Sequence, residues 1–325
     1  MPFSLDALES AAALVHRTLS PTAQHHWPLL SARLGTETWV KHENHCPTGS
    51  FKVRGGITYF AALSARQPEL RRVVCATRGN HGQSVALAGA RCGLAVRIVV
   101  PHGNSREKNA AMRALGAELI EHGADFQAAR EHAAALAERD GAHLVPAFHG
   151  DLVRGVASYC LEFLRGAPPL DVVYVPIGLG SGIAAMIAAR DALGLATEVV
   201  GVVSAHAPAY ALSFAQRRAV AHPVSTRIAD GMACSTPDPQ ALEIIWAGAA
   251  RIVAVSDGEV EAAMRLLFET THNVAEGAGA AALAAAVQER HLLRGRRVGV
   301  VLSGGNVDRA LYAEVLAARD SMAGV

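Results

Sequence analysis

The sequence predicts an open α/β fold, with mostly parallel strands and helices on both faces of the sheet. Three observations carry that reading. Short apolar, β-branched runs alternate with alanine-rich amphipathic runs along the chain, the βα alternation that builds parallel sheets. Most apolar runs are nearly continuous, as strands buried on both faces require. Hydrophobic residues make up 51% and charged residues 18% of the 325, enough for a substantial core in one large domain or two ordinary ones.

The candidate strands are Thr38–His42, Arg72–Ala76, Val96–Val100, Glu118–Glu121, His143–Pro146, Val172–Pro176, Glu198–Ser204, Ile252–Val255 and Val298–Leu302. Helical patterns lie between them, for example Gln83–Arg91, Arg106–Leu115, Phe126–Glu138, Val153–Leu164, Ile183–Leu193 and Glu259–Thr271. No internal repeat, low-complexity tract or long linker interrupts the series. The nearest thing to a loop is Ala221–Pro239, rich in Ser, Thr, Pro and Asp.

Several function classes are disfavoured. No apolar run reaches the roughly 18–20 uncharged residues of a spanning helix, and Met1–Asp6 lacks a basic segment leading into a long apolar one. The net charge is +1 with scattered arginines, so no basic stripe points to nucleic acid or anionic lipid. Five widely spaced cysteines without a Cys-x-x-Cys fit a reducing cytoplasm rather than a disulfide framework or structural zinc.

Lysine is scarce: Lys41, Lys52 and Lys108 are the only three, and arginine supplies the other 27 basic residues. A lysine kept in such a chain invites a chemical reason. Unlike arginine, its amine can lose a proton when desolvated and then attack a carbonyl or form a Schiff base. Lys52 follows the small residues Thr48, Gly49 and Ser50, which let a ligand approach the backbone closely.

Three strand-end turns are candidate ligand sites, because open α/β sheets bind ligands beyond the carboxyl ends of their strands. Ala76–Gln83, with Gly79-Asn80-His81 inside it, precedes a helix whose free N–H groups suit a carboxylate or phosphate. An ordinary connection capped by Asn80 is the competing reading. Gly178-Leu179-Gly180-Ser181-Gly182 suits a phosphate nest. Tight helix–strand packing is its alternative, and a dinucleotide site fits less well because the Rossmann glycine spacing is not met. Ser303-Gly304-Gly305-Asn306 puts a hydroxyl at a strand end, or is a plain turn. A reactive lysine, an anion turn, a phosphate nest and a strand-end hydroxyl together suit a cofactor with an aldehyde, a phosphate and a polar ring. Pyridoxal 5′-phosphate has those groups.

At these residues the chain resembles the fold-type II pyridoxal-phosphate enzymes, within them the serine/threonine dehydratase (threonine ammonia-lyase) group that also includes serine racemase. The resemblance is carried by Lys41–Lys52, Gly79-Asn80-His81 with Gln83, Gly178–Gly182, Ile228–Gly231, Glu276–Ala280 and Ser303–Asn306, in order along nearly the whole chain. It implies a tryptophan-synthase-β-like fold of two open α/β domains with the cofactor in the cleft between them. Residues 1–70 and 148–325 would form the large domain and 71–147 the small one. Lys52 would hold the cofactor as a Schiff base and move the substrate's α-proton. Phe51 would pack on the ring, Asn80 would meet the ring hydroxyl, Gly178, Leu179, Gly180, Ser181 and Gly182 would hold the phosphate, and Ser303 would face the ring nitrogen. Ser50, Thr77, Arg78 and His81 are the candidate substrate contacts.

The implied reaction is α,β-elimination from a β-hydroxy amino acid (threonine, serine, 3-hydroxyaspartate or phenylserine) to a 2-oxo acid and ammonia, in a cytoplasmic homodimer. A racemase, a β-replacement synthase and a non-catalytic cofactor-binding homologue are alternatives in the same fold, and a nicotinamide oxidoreductase is one outside it. Two departures refine the expectation. Arg78 stands where serine racemase has a serine serving the opposite face of the α-carbon, and arginine stays protonated, so elimination with little racemisation is expected. A clamp on a second anionic group, as in 3-hydroxyaspartate, and an arginine facing solvent or a local acid are the competing readings of the Arg78 side chain. The family's divalent-cation position reads Val203–Tyr210 without a carboxylate, so no metal is expected there. The chain ends without the regulatory extension of biosynthetic threonine deaminases, which suggests a catabolic enzyme.

Overall fold

A computed structural model describes residues 3–318. The chain opens with α1 (Leu5–His16), β1 (Gln24–His26), α2 (Pro28–Leu34), β2 (Glu37–His42) and α3 (Lys52–Arg66). It continues with β3 (Arg72–Ala76), α4 (Asn80–Arg91), β4 (Ala95–Val100), α5 (Arg106–Ala114), β5 (Glu118–Glu121), α6 (Phe126–Asp140) and β6 (His143–Leu144). Next come α7 (Gly150–Gly166), β7 (Val172–Pro176), α8 (Ser181–Ala192), β8 (Glu198–Ser204), α9 (Ala209–Gln216) and α10 (Pro239–Gly248). The described chain closes with β9 (Arg251–Val255), α11 (Asp257–Thr271), α12 (Gly277–Gln288), β10 (Arg297–Leu302) and α13 (Arg309–Ala317).

Two sheets result. One has six strands in the order β1-β2-β10-β7-β8-β9, and the other has four in the order β5-β4-β3-β6. Every pairing is parallel except β1 with β2. Separate apolar clusters cover the two faces of each sheet, so the central strands must be apolar throughout. All five residues of β7 are buried, whereas the edge strand β5 is buried at none.

The strand orders place the ligand sites. In the smaller sheet the chain runs outward from β3 through β4 to β5, then returns to the other side of β3 as β6. In the larger sheet it runs from β7 through β8 to β9, and β10 returns to the other side of β7. Such reversals open a crevice at the carboxyl ends of the strands beside them. The turns after β3, β7 and β10 are the three glycine-bearing segments singled out in the sequence.

Two local readings need correction. The strand expected over His143–Pro146 is only two residues long: it pairs with Val73 and Val74 alone, and Pro146 has no N–H to extend the ladder. Asn80 does not cap α4. It is the first helical residue, Gly79 holds the cap position without a side-chain bond, and the Asn80 amide is directed elsewhere.

Candidate active site

Lys52 is the first residue of α3, and its position is set by a clamp between two neighbouring strand ends. β2 and β10 are parallel neighbours in register up to His42 and Leu302. The segments that follow them pair in turn: Ser50 bridges Gly304, Phe51 N–H donates to the Ser303 carbonyl at 3.2 Å, and Gly305 N–H donates to the Gly49 carbonyl at 2.9 Å. The lysine turn and the Ser303 turn are therefore one structural unit. From it the Lys52 side chain enters a cavity of about 440 Å³. Its amine donates to Ser181 Oγ at 3.1 Å and lies 4.9 Å from the centre of the Phe51 ring. Among the described residues no carboxylate forms an ion pair with it. Burial pulls its pKa down to about 8, against the opposing charge of Glu276.

The β3–α4 turn forms a second wall. Thr77 Oγ1 accepts from Gly79 N–H at 3.1 Å, which folds the turn tightly before the helix. Asn80 Nδ2 donates to Glu276 Oε1, and Asn80 Oδ1 accepts from Asn306 Nδ2 at 2.8 Å. Asn306 in turn donates to the Thr48 carbonyl, so the turns after β2, β3 and β10 share one amide network. His81 lines the cavity with Nε2 buried and unpartnered. Burial, helped by the Lys52 charge, lowers its pKa to about 3, so the ring is neutral.

The third wall is the β7–α8 turn. Gly180 adopts a left-handed conformation (φ 101°), and Ser181 is the first residue of α8, so the unpaired N–H groups of a helix N-terminus flank the cavity. Gly178 has no room for a side chain, since a Cβ there would collide with the Gly231 carbonyl oxygen. Tyr210 Oη holds the turn from behind by donating to the Leu179 carbonyl at 2.9 Å.

The cavity brings together Lys52, Phe51, Thr77, Arg78, Asn80, His81, Gly178, Leu179, Gly180, Ser181, Gly182 and Ser303. Ser50 is not on its wall. That residue lies behind it in the clamp, with Oγ buried and unpartnered. Sequence reasoning assigned no role to Lys108, Asp230 and Glu276, which meet at the same cavity. Lys108 Nζ lies 2.7 Å from Asp230 Oδ2 and 3.1 Å from Glu276 Oε2. Burial opposes the Lys108 charge, but the two acids outweigh it and raise its pKa above the ordinary lysine value. The scarcity of lysine was the available signal for Lys108. Its partners, 122 and 168 residues further along the chain, are not a local pattern.

The residues present fit pyridoxal 5′-phosphate. A helix N-terminus beside a backbone cradle closed to side chains suits a phosphate. An amine of lowered pKa with one hydroxyl partner suits an aldehyde. The Ser303 hydroxyl, engaged among the described residues only by a 3.3 Å bond to the Ala278 carbonyl, is free to turn toward a ring nitrogen.

Comparison with known proteins agrees. The family described as pyridoxal-phosphate dependent enzyme matches residues 15–304. The chain is 33% identical over 306 residues to the L-threonine ammonia-lyase of Thermotoga maritima, covering 94% of this chain and 76% of that one. It is 29% identical over 314 residues to L-threonine dehydratase catabolic TdcB of Escherichia coli K12, covering 96% and 94%. The processed form of threonine deaminase isoform 2 from Solanum lycopersicum superposes with a TM-score of 0.89 at 28% identity, covering 98% of this chain and 95% of that one.

Proposed function

This chain belongs to the pyridoxal-phosphate dependent enzymes, and we propose that it is a dehydratase (ammonia-lyase) converting a β-hydroxy amino acid to a 2-oxo acid and ammonia by α,β-elimination. The observation that carries the reading is the Lys52 amine, held in a cavity between the β3–α4 and β7–α8 turns, with Ser181 Oγ as its one hydrogen-bond partner among the described residues.

When bound, pyridoxal 5′-phosphate supplies an electron sink conjugated to the substrate's α-carbon. Gly178–Gly182 would hold its phosphate, Phe51 would pack on its ring, Asn80 would meet its ring hydroxyl and Ser303 its ring nitrogen. Thr77, His81 and the α4 N-terminus would orient the substrate carboxylate, with Ser50 supporting them from behind the wall. In the cofactor-free fold burial lowers the Lys52 pKa to about 8, a direction that suits an amine taking the α-proton as a general base. Glu276 and Asn306 fix the Asn80 amide, which keeps the carboxylate turn in register with the lysine turn. Arg78 stays protonated and offers no second base on the opposite face, which favours elimination over racemisation.

Five unpaired cysteines support a reducing, cytoplasmic setting. No helix among the described residues is long and apolar enough to cross a membrane. Extensive coverage of the catabolic Escherichia coli relative supports a catabolic role, and family analogy supports a homodimer. A screen of serine, threonine, 3-hydroxyaspartate and phenylserine enantiomers for 2-oxo acid tests the reaction. We expect 2-oxo acid and ammonia in equal amounts from at least one of them. We expect Lys52→Ala to fall by about 10⁴-fold or more and to lose borohydride-fixed cofactor. A Lys52→Ala protein that still fixed cofactor would overturn the assignment.

A further inference from the structure

Resting on that reading, we propose that the substrate carries a second anion, and that Arg78 and Arg130 form its subsite: the site takes a β-hydroxy amino dicarboxylate. Arg78 lies on the β3–α4 turn and Arg130 on α6, and both line the cavity while remaining exposed. Arg78 follows the end of β3, and Arg130 belongs to the helix packed on that strand. α6 packs on β3, so Ala129, beside Arg130, is buried in the same cluster as Ala76, two residues before Arg78.

Neither guanidinium has a hydrogen-bond or ion-pair partner among the described residues, although many arginines of this chain are paired. The acids that line the cavity are already engaged. Asp230 and Glu276 meet Lys108, and Asp238 Oδ1 accepts from the N–H groups of Gln240 and Ala241 at the start of α10. The α-carboxylate common to all amino acids has its own candidate partners in Thr77, His81 and the α4 N-terminus. The phosphate cradle belongs to the other sheet. Two free forked cations therefore remain for the substrate's distal end. Beside them the wall carries Phe126, Leu144, Pro146 and Phe148, and each exposed guanidinium can meet a carboxylate in a charge-assisted bidentate pair. A methyl or phenyl group offers neither guanidinium an acceptor.

The reaction balances. The α-proton and the β-hydroxyl leave as water, and the amino group departs as ammonia when one water is returned by hydrolysis. A four-carbon hydroxyamino dicarboxylate thus gives a four-carbon 2-oxo dicarboxylate plus ammonia, with no external oxidant or reductant.

The test uses the holoenzyme and the variants Arg78→Gln, Arg130→Gln and the double variant. For wild type we expect kcat/KM with one 3-hydroxyaspartate isomer to exceed that with threonine or phenylserine by about tenfold or more. Each single variant should lower the ratio of kcat/KM for 3-hydroxyaspartate to that for threonine by about 10- to 100-fold. Arg78→Lys should recover part of the loss. Wild-type preference for threonine or phenylserine, or a ratio unmoved in the double variant, overturns the proposal. Malonate, an unreactive dianion, separates this from failure of the dehydratase reading. Without any 2-oxo acid from any substrate, malonate protection of the holoenzyme in thermal unfolding still reports the subsite. Protection lost in the double variant supports the arginine pair, and protection that is absent or retained there overturns it.

Discussion

Two cations sit two residues apart at the start of α3, and the protein treats them in opposite ways. Arg54 is fully buried and fully answered. Its guanidinium donates to both oxygens of Glu43, both oxygens of Glu162, Ser158 Oγ and Thr22 Oγ1. Lys41 joins the same network through Glu162, the Thr22 carbonyl and Gln24. Burial works against the Arg54 charge, yet Glu43 and Glu162 outweigh it and raise the pKa. Glu162 is pushed up by burial but held below the usual carboxylate range by Arg54 and Lys41. Lys52, on the cavity side, has one hydroxyl and no paired acid among the described residues. The difference teaches that burial alone does not make a lysine reactive. Withheld compensation does, as the answered charges of Arg54 and Lys41 show by contrast.

The sharpest way to break this comparison is to remove each charge in the cofactor-free protein. Arg54→Met leaves buried Glu43 without its cation and Glu162 with Lys41, which should cost about 3–5 kcal/mol. Lys52→Met removes an amine whose charged form is disfavoured in the fold, and should stabilise the cofactor-free protein at pH 7 by about 1–3 kcal/mol. Denaturant unfolding of the two variants checks both signs. Equal losses would mean that Lys52 is as well compensated as Arg54.

The Lys52 side of the contrast was legible in the sequence, for local reasons. The central strands are apolar on both faces because helices cover both, so runs such as Val172–Pro176 stand out. Lys52 stands out because lysine is rare and small residues precede it. What escaped depended on distance or on polarity. β1 is a three-residue edge strand, Gln-His-His, with no apolar signal. α7 starts at Gly150, earlier than its apolar pattern, because His149 accepts from Asp151 N–H as a cap. Arg130 looks like any arginine on a helix surface until α6 is packed on β3. The Arg54 network joins residues as far apart as Thr22 and Glu162, and no spacing announces it.

Titration sharpens the comparison next. With only three lysines, their Nζ resonances in lysine-labelled, cofactor-free protein can be followed one by one by NMR. Lys52 should titrate near pH 8, and Lys108 should stay protonated beyond the ordinary lysine range. The stability consequence has a definite sign. Between about pH 8 and the unfolded lysine value near 10.4, the unfolded chain binds the proton that folded Lys52 has released. The Lys52 contribution to stability therefore rises with pH across that window and is unfavourable below it. A Lys52 signal that titrated only above pH 10 would remove the contrast with its neighbours.

The smallest expected effect isolates the one acid that acts on Lys52 from a distance. Glu276 is buried, and burial raises its pKa while the Lys108 charge pulls it back. Its charge is also what opposes the drop at Lys52. Glu276→Gln keeps an oxygen for the Asn80 amide to donate to and deletes only the charge. If Lys108 keeps Glu276 ionised, the substitution should shift the Lys52 midpoint further down, by about one unit or less, because the two groups do not touch. Lys108 should move the same way, since it loses one of its two acids. A Lys52 midpoint that stays in place while that of Lys108 falls would assign the lowered basicity of Lys52 to burial alone. The under-compensation of Lys52 would then be set by the walls of the cavity rather than by the balance of charges around it.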